Sequence, residues 1–155
     1  MLVKFTKKMN EKINHIREQA LQYQHTKISG AREIVMHIRA FESNLDPIEK
    51  EKERFYAVGL TTSGKIKYID NVSTGTIDSC TADPLQVFRI AILSGVRYIV
   101  IAHNHPSGNT EPSDADIKMT KKLKEGSKWL DLTITDHIIF SDDDYYSFSA
   151  DGLIL

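Results

Sequence analysis

The stretch from Arg97 to Asp116 constrains this chain more than any other. Arg97-Tyr-Ile-Val-Ile-Ala102 is short, apolar and β-branched, so it reads as a buried strand. His103 and His105 follow at its end. Residues i and i+2 of an extended chain share a face, so two imidazoles can converge there on one metal ion. Pro106 and Gly108 break the strand. A short loop then reaches Ser113, where a helix can start with Asp116 in its first turn. Two nitrogens and a carboxylate oxygen, with one coordination position left open, make a catalytic zinc set. Each half of the pattern also has a plainer meaning. Two histidines at a strand end are often polar residues leaving the core. Ser-x-x-Asp is also a helix N-cap with an acid at N3. The order of the parts, with Pro106-Ser107-Gly108 between them, favours the metal. The cap and the ligand are compatible, because a cap can fix the direction of the carboxylate.

At these residues the chain resembles a known family. His103-x-His105, seven residues, then Ser113-x-x-Asp116 is similar to the JAMM (MPN-plus) metallopeptidase signature. The wording His103-Asn-His-Pro-Ser-Gly108 resembles its bacterial RadC-like JAB branch, and the likeness runs from about Lys27 to the C-terminus. The resemblance implies an α+β fold, an α-β-α sandwich with a mixed, largely antiparallel sheet like that of cytidine deaminases. It implies Zn2+ on His103, His105 and Asp116. Chemistry alone asks for a glutamate to take a proton from the attacking water, and the sequence offers many. The resemblance narrows the choice to Glu53 in Glu53-Arg54-Phe55, with Glu51 and Glu49 as the alternatives if the register slips. Ser113 would steady the developing oxyanion. His137 in Thr135-Asp136-His137 resembles the family's Asp-His pair, as a locally satisfied strand residue before a metal ligand, with a supporting role between the two. Ser73-Thr74-Gly75-Thr76 is similar to a loop of the same branch. Two departures stand out. No Gly-rich helix-hairpin-helix module associated with DNA is recognisable. Pro84-Leu85 stands where the family has Pro-Arg.

The rest of the sequence sets broad bounds. A length of 155 residues suits one domain with a sizeable core, and 41% hydrophobic with 26% charged residues is ordinary globular composition. A net charge of −1 gives no global electrostatic case for nucleic acid or a membrane surface. The single Cys80 excludes an internal disulfide and suits a reducing cytoplasm. No apolar run reaches membrane-spanning length, and the lysine-bearing N-terminus lacks the h-region of a signal peptide.

Along the chain, residues 1–26 read as an amphipathic helix and connector, and residues 27–155 as the JAB/MPN-like domain. Leu2, Phe5, Met9, Ile13, Ile16, Ala20 and Tyr23 recur in steps of three and four, a narrow apolar seam. Ser29 is a candidate cap for a helix over 30–41. Glu49 to Arg54 is a charge run, most simply a solvated face. Phe55–Leu60 and Lys65–Val72 form a hairpin, and Asp83-Pro84 starts a helix that ends near Gly95. Ser113 to Trp129 is helical. Leu132 to Phe140 alternates, which predicts Ile134, Asp136, Ile138 and Phe140 on one side. Trp129, Tyr145 and Phe148 read as packing residues, and His15, His25 and His37 as incidental. Asp142-Asp143-Asp144 lacks the ligand spacing of a calcium loop.

Two functions compete. One is a zinc-dependent hydrolase acting on a peptide or protein substrate. The other is a non-catalytic or accessory metal-binding module in DNA repair or mobile-element biology. A nucleic-acid hydrolase is disfavoured by the missing basic stripe. The N-terminal seam can dock on its own domain or pair with a second copy in a homodimer. Deleting residues 1–24 should therefore either halve the mass in solution or destabilise the domain. Light scattering and melting that are both unchanged would remove any packing role for the segment.

Overall fold

The computed structural model describes residues 27–75 and 82–154, with residues 7, 10, 11, 13–15, 18, 22 and 23 of the segment before them. The elements run α1 (Ala31–Glu42), α2 (Pro47–Lys50), β1 (Arg54–Leu60), β2 (Ile66–Thr74), α3 (Pro84–Ser94), β3 (Tyr98–Asn104), α4 (Asp114–Lys128), β4 (Thr133–Phe140) and β5 (Tyr145–Ser147). The strands form one five-stranded sheet in the order β2-β1-β3-β4-β5. Pairing is antiparallel except between β3 and β4, which run parallel. Central strands covered on both faces must be apolar on both, and Phe55 to Val58 and Ile99 to Ala102 are. Phe55, Ala57, Ile99 and Ile101 pack against Val87, Phe88 and Ile90 of α3 and Leu123 of α4. Tyr56, Val58, Val100 and Ala102 face the other way, onto Ile34, Val35 and Ile38 of α1. The expected α-β-α sandwich with a mixed sheet is the observed architecture.

Helix ends follow the local chemistry. Asp83 accepts from the Leu85 amide with Pro84 at N1, and Gly95 closes α3 in the left-handed region at φ 66°. Just before the charge run, Asp46 caps the one-turn α2 by accepting from the Ile48 amide. Ser29 differs from the expectation. Its amide and hydroxyl both donate to the Glu33 carboxylate, so the acid one turn inside closes this end of α1.

Three further expectations are corrected. Ser73 and Thr74 end β2 instead of forming a loop, because they pair with Phe55 and Arg54. Trp129 does not pack, since it is 91% exposed at the end of α4. The alternation in β4 is interrupted. The register slips at Thr135, whose hydroxyl bonds the Ile99 carbonyl, so Ile134 faces α3 and α4 while Ile138 and Phe140 face α1. One extra residue reverses every later side chain. His137 thereby lands on the same face as Ile101 and His103.

The described residues between 7 and 22 are helical, and Tyr23 is buried against α1 with its ring edge-on to His37 at 5.4 Å. The seam positions Leu2, Phe5, Met9, Ile16 and Ala20, as well as His25, lie outside the described residues. Among the described residues, no helix is long and apolar enough to cross a membrane.

Gly59 pairs with Tyr68, and a Cβ at this position would overlap the buried Tyr68 ring. Gly59→Ala should cost about 1–3 kcal/mol, the usual scale of core overpacking. Urea denaturation would show it as a lower midpoint, and an unchanged midpoint would mean that the ring yields freely.

Candidate metal centre

The site forms where β3 ends. His103 is 3% exposed, pairs with Phe55 on β1 and Ile139 on β4, and its ring stacks on Phe55 at 6.0 Å. The His105 amide bonds the Phe140 carbonyl at 2.8 Å. The chain then turns through Gly108, whose φ of 87° suits a residue without a Cβ. Ser113 caps α4, and the cap is reciprocal. Its hydroxyl accepts from the Asp116 amide at 3.2 Å, while the Asp116 carboxylate accepts from the Ser113 amide at 2.8 Å and hydroxyl at 2.5 Å. The capping box thus aims the carboxylate back toward the strand end.

His103, His105 and Asp116 meet there, as a group whose ligand atoms all lie within 4.8 Å of one another. The two Nε2 atoms are 2.9 Å apart. Asp116 Oδ1 is 3.1 Å from His103 Nε2, and Oδ2 is 3.9 Å from His105 Nε2. Burial pushes the Asp116 carboxyl up, but the facing His103 and the Ser113 donors outweigh it and hold the group well below the usual carboxylate range. An anionic oxygen therefore faces two imidazole nitrogens.

A family model described as RadC-like JAB domain matches residues 18–153. The chain belongs to that family. It is 39% identical over 106 residues to a UPF0758 protein of Methanosarcina acetivorans, covering 68% of this chain and 46% of the relative. A UPF0758 protein of Chlorobium phaeovibrioides is 34% identical over 122 residues, covering 79% of this chain and 52% of the relative. UPF0758 protein CA_C1241 of Clostridium acetobutylicum is 38% identical over 103 residues, 66% of this chain and 45% of its own length. The chain spans about half the length of these curated relatives.

The donor set of this RadC-like JAB domain fits a metal ion. Tetrahedral bonds of 2.0–2.1 Å put neighbouring donor atoms about 3.3 Å apart. The observed separations of 2.9, 3.1 and 3.9 Å bracket that value. The orientation of His105 agrees. Its Nδ1 lies 2.6 Å from the Asn109 carbonyl, which can only accept, so Nδ1 carries a hydrogen and Nε2 is the nitrogen turned toward the ligand group.

Glu53 is half-buried just before β1, its carbonyl accepting from the Gly75 amide at 2.9 Å. Asn104 links this junction to the histidines. Its Oδ1 accepts from the Arg54 amide at 2.6 Å and its Nδ2 donates to the Lys52 carbonyl at 3.1 Å. Glu49 is committed elsewhere, paired with Lys52 and the buried Arg54. Glu51 is exposed and lines a cleft of about 550 Å³ that runs past His105 and the loop after it, over Arg39 and Asp142. Asn104 and Thr120 also belong to the site, and neither carries a motif of its own. Position was the available signal: Asn104 sits between the two histidines, and Thr120 lies one helical turn beyond Asp116.

Loading with a divalent transition metal should give roughly one ion per chain for a three-ligand site. His103→Ala and His105→Ala should lose most of it while keeping the wild-type circular dichroism. Unchanged metal content in both variants, read by elemental analysis, would place the ion elsewhere.

Proposed function

We propose that this domain is a zinc-dependent metallohydrolase of the JAMM type that cleaves peptide or isopeptide amide bonds with an activated water. The observation that carries the reading is the convergence of His103 Nε2, His105 Nε2 and the ionised Asp116 at a strand end beside an open cleft. Bound there, zinc would lower the pKa of a water to about 7 and polarise the scissile carbonyl. The chain's own residues divide the remaining work. His103, His105 and Asp116 hold the ion. Glu53 takes a proton from the attacking water and returns it to the leaving nitrogen. Asn104 supports this assignment, because it ties both neighbours of Glu53 to the histidine segment. The ion pairs of Glu49 argue against that residue as the base. Ser113 donates its hydroxyl to the developing oxyanion.

One observation favours a metal-binding module without turnover. The Ser113 hydroxyl proton is spent on Asp116 Oδ2 at 2.5 Å, so it reaches a substrate only by leaving that bond. A broad peptide-substrate screen, run with and without chelator, separates the two readings.

Glu53→Gln keeps size and hydrogen bonding but cannot take a proton. Zinc content and melting should stay near wild type, while hydrolysis of a peptide found in the screen should fall by ~10²-fold or more. Asp116→Asn should instead weaken zinc binding. Full activity in Glu53→Gln with loss in Glu51→Gln or Glu49→Gln would move the base. Full activity in all three would exclude the JAMM mechanism.

A further inference from the structure

A continuous hydrogen-bonded chain runs behind the candidate ligands. His103 Nδ1 lies 2.9 Å from His137 Nε2. His137 Nδ1 lies 2.6 Å from Thr120 Oγ1. Thr120 Oγ1 donates to the Asp116 backbone carbonyl at 2.6 Å. The chain starts on one ligand residue and ends on another. It is sealed from water: His137 and Thr120 are both buried, and Phe148 stacks on the His137 ring at 4.6 Å.

Counting hydrogens gives the chain a direction. The Asp116 carbonyl can only accept, and threonine has a single hydroxyl hydrogen, so that hydrogen lies between Thr120 and Asp116. Thr120 Oγ1 then faces His137 as an acceptor, and His137 Nδ1 must carry a hydrogen. The ring is fully buried against Phe55 and Phe148, a setting that holds a neutral imidazole with a single N–H. Its Nε2 is therefore bare and accepts from His103 Nδ1–H. The reverse arrangement would leave the Thr120 and Asp116 oxygens facing each other at 2.6 Å with no hydrogen between them. The slip at Thr135 is what turns His137 toward His103 at all.

We infer that Thr120 and His137 are positioning residues that hold His103 in its Nδ1–H form, so that Nε2 is the nitrogen offered to a metal ion. The inference rests on the metal-site reading above. It makes the two histidines alike. His105 has its Nδ1 hydrogen fixed by a backbone carbonyl, and His103 has its own fixed through two side chains. Each then presents Nε2 toward the other and toward Asp116.

The test begins on the metal-free wild-type protein, with long-range 1H–15N correlation spectra of the histidine rings. His137 should show a protonated Nδ1 and a bare Nε2, and His103 a protonated Nδ1. A protonated Nε2 on His137 would overturn the inference. The second arm is zinc affinity, measured by competition with a chromophoric chelator. Thr120→Val removes the hydroxyl at nearly constant volume and should weaken zinc about 10-fold or more, the scale for groups that orient a ligand. Thr120→Ser keeps the hydroxyl and its bond one turn back, and should restore the affinity. Equal affinity in Thr120→Val and wild type would also overturn the inference. A wild-type protein that takes up no zinc would instead overturn the proposed function, and the metal-free spectra would still decide the ring forms.

Discussion

The parallel pairing of β3 with β4 is the constraint on which the rest depends. Two parallel strands cannot be joined by a tight turn; the chain has to cross over, here through α4. The crossover begins where β3 ends, so the N-terminus of α4 sits beside the last residues of a buried strand. A helix start needs acceptors for its free amides, and Ser113 and Asp116 supply them. A strand end leaves two alternate side chains on one face, and here they are His103 and His105. The carboxylate that serves the helix is thereby delivered to the imidazoles that finish the strand. Local requirements of two ordinary elements build most of the site.

Electrostatics explain why the arrangement tolerates burial. Asp116 is largely buried, which alone would favour its neutral form. The Ser113 amide and hydroxyl and the facing His103 reverse that preference. The helix N-terminus adds a favourable field for the same charge. Aromatic rings close the other sides, with Phe55 against His103 and Phe148 against His137. These rings confine the imidazoles in orientation without competing for their nitrogens.

What was legible in the sequence followed from short-range rules. The β3 run, the Ser113 cap, the Asp83-Pro84 start and the two-residue spacing of the histidines all depend on neighbours within a few positions. The α-β-α layering came with the family resemblance, and the structure supplies its physical reason: strands apolar on both sides need cover on both. The misses had long-range causes. The slip at Thr135 depends on Ile99, which is 36 residues away, so the strict alternation assumed for β4 put Ile134 on the wrong face. Ser29 looked like a cap by type, yet Glu33 inside the helix reaches back to it. Trp129 reads as a packing residue, but it falls just past the end of α4, where it stays exposed. Asn104 has no local signature, because both of its partners are about fifty positions upstream.

Asn104 also shows how distant parts of a site can be held in register. Its neighbours His103 and His105 point to one face, so its own side chain points to the other. There it spends one acceptor and one donor on the backbone on either side of Glu53. The Arg54 amide it satisfies belongs to a residue 1% exposed, so losing the bond would leave a buried donor unpaired. The Arg54 guanidinium fastens the same segment from its other side, onto Glu49 and the Lys52 carbonyl. A loop residue tied down at both flanks has little freedom to drift. The placement of Glu53 relative to the histidines therefore depends on the sheet and on one amide side chain, and a change at Asn104 would reach the proposed base without touching a candidate ligand.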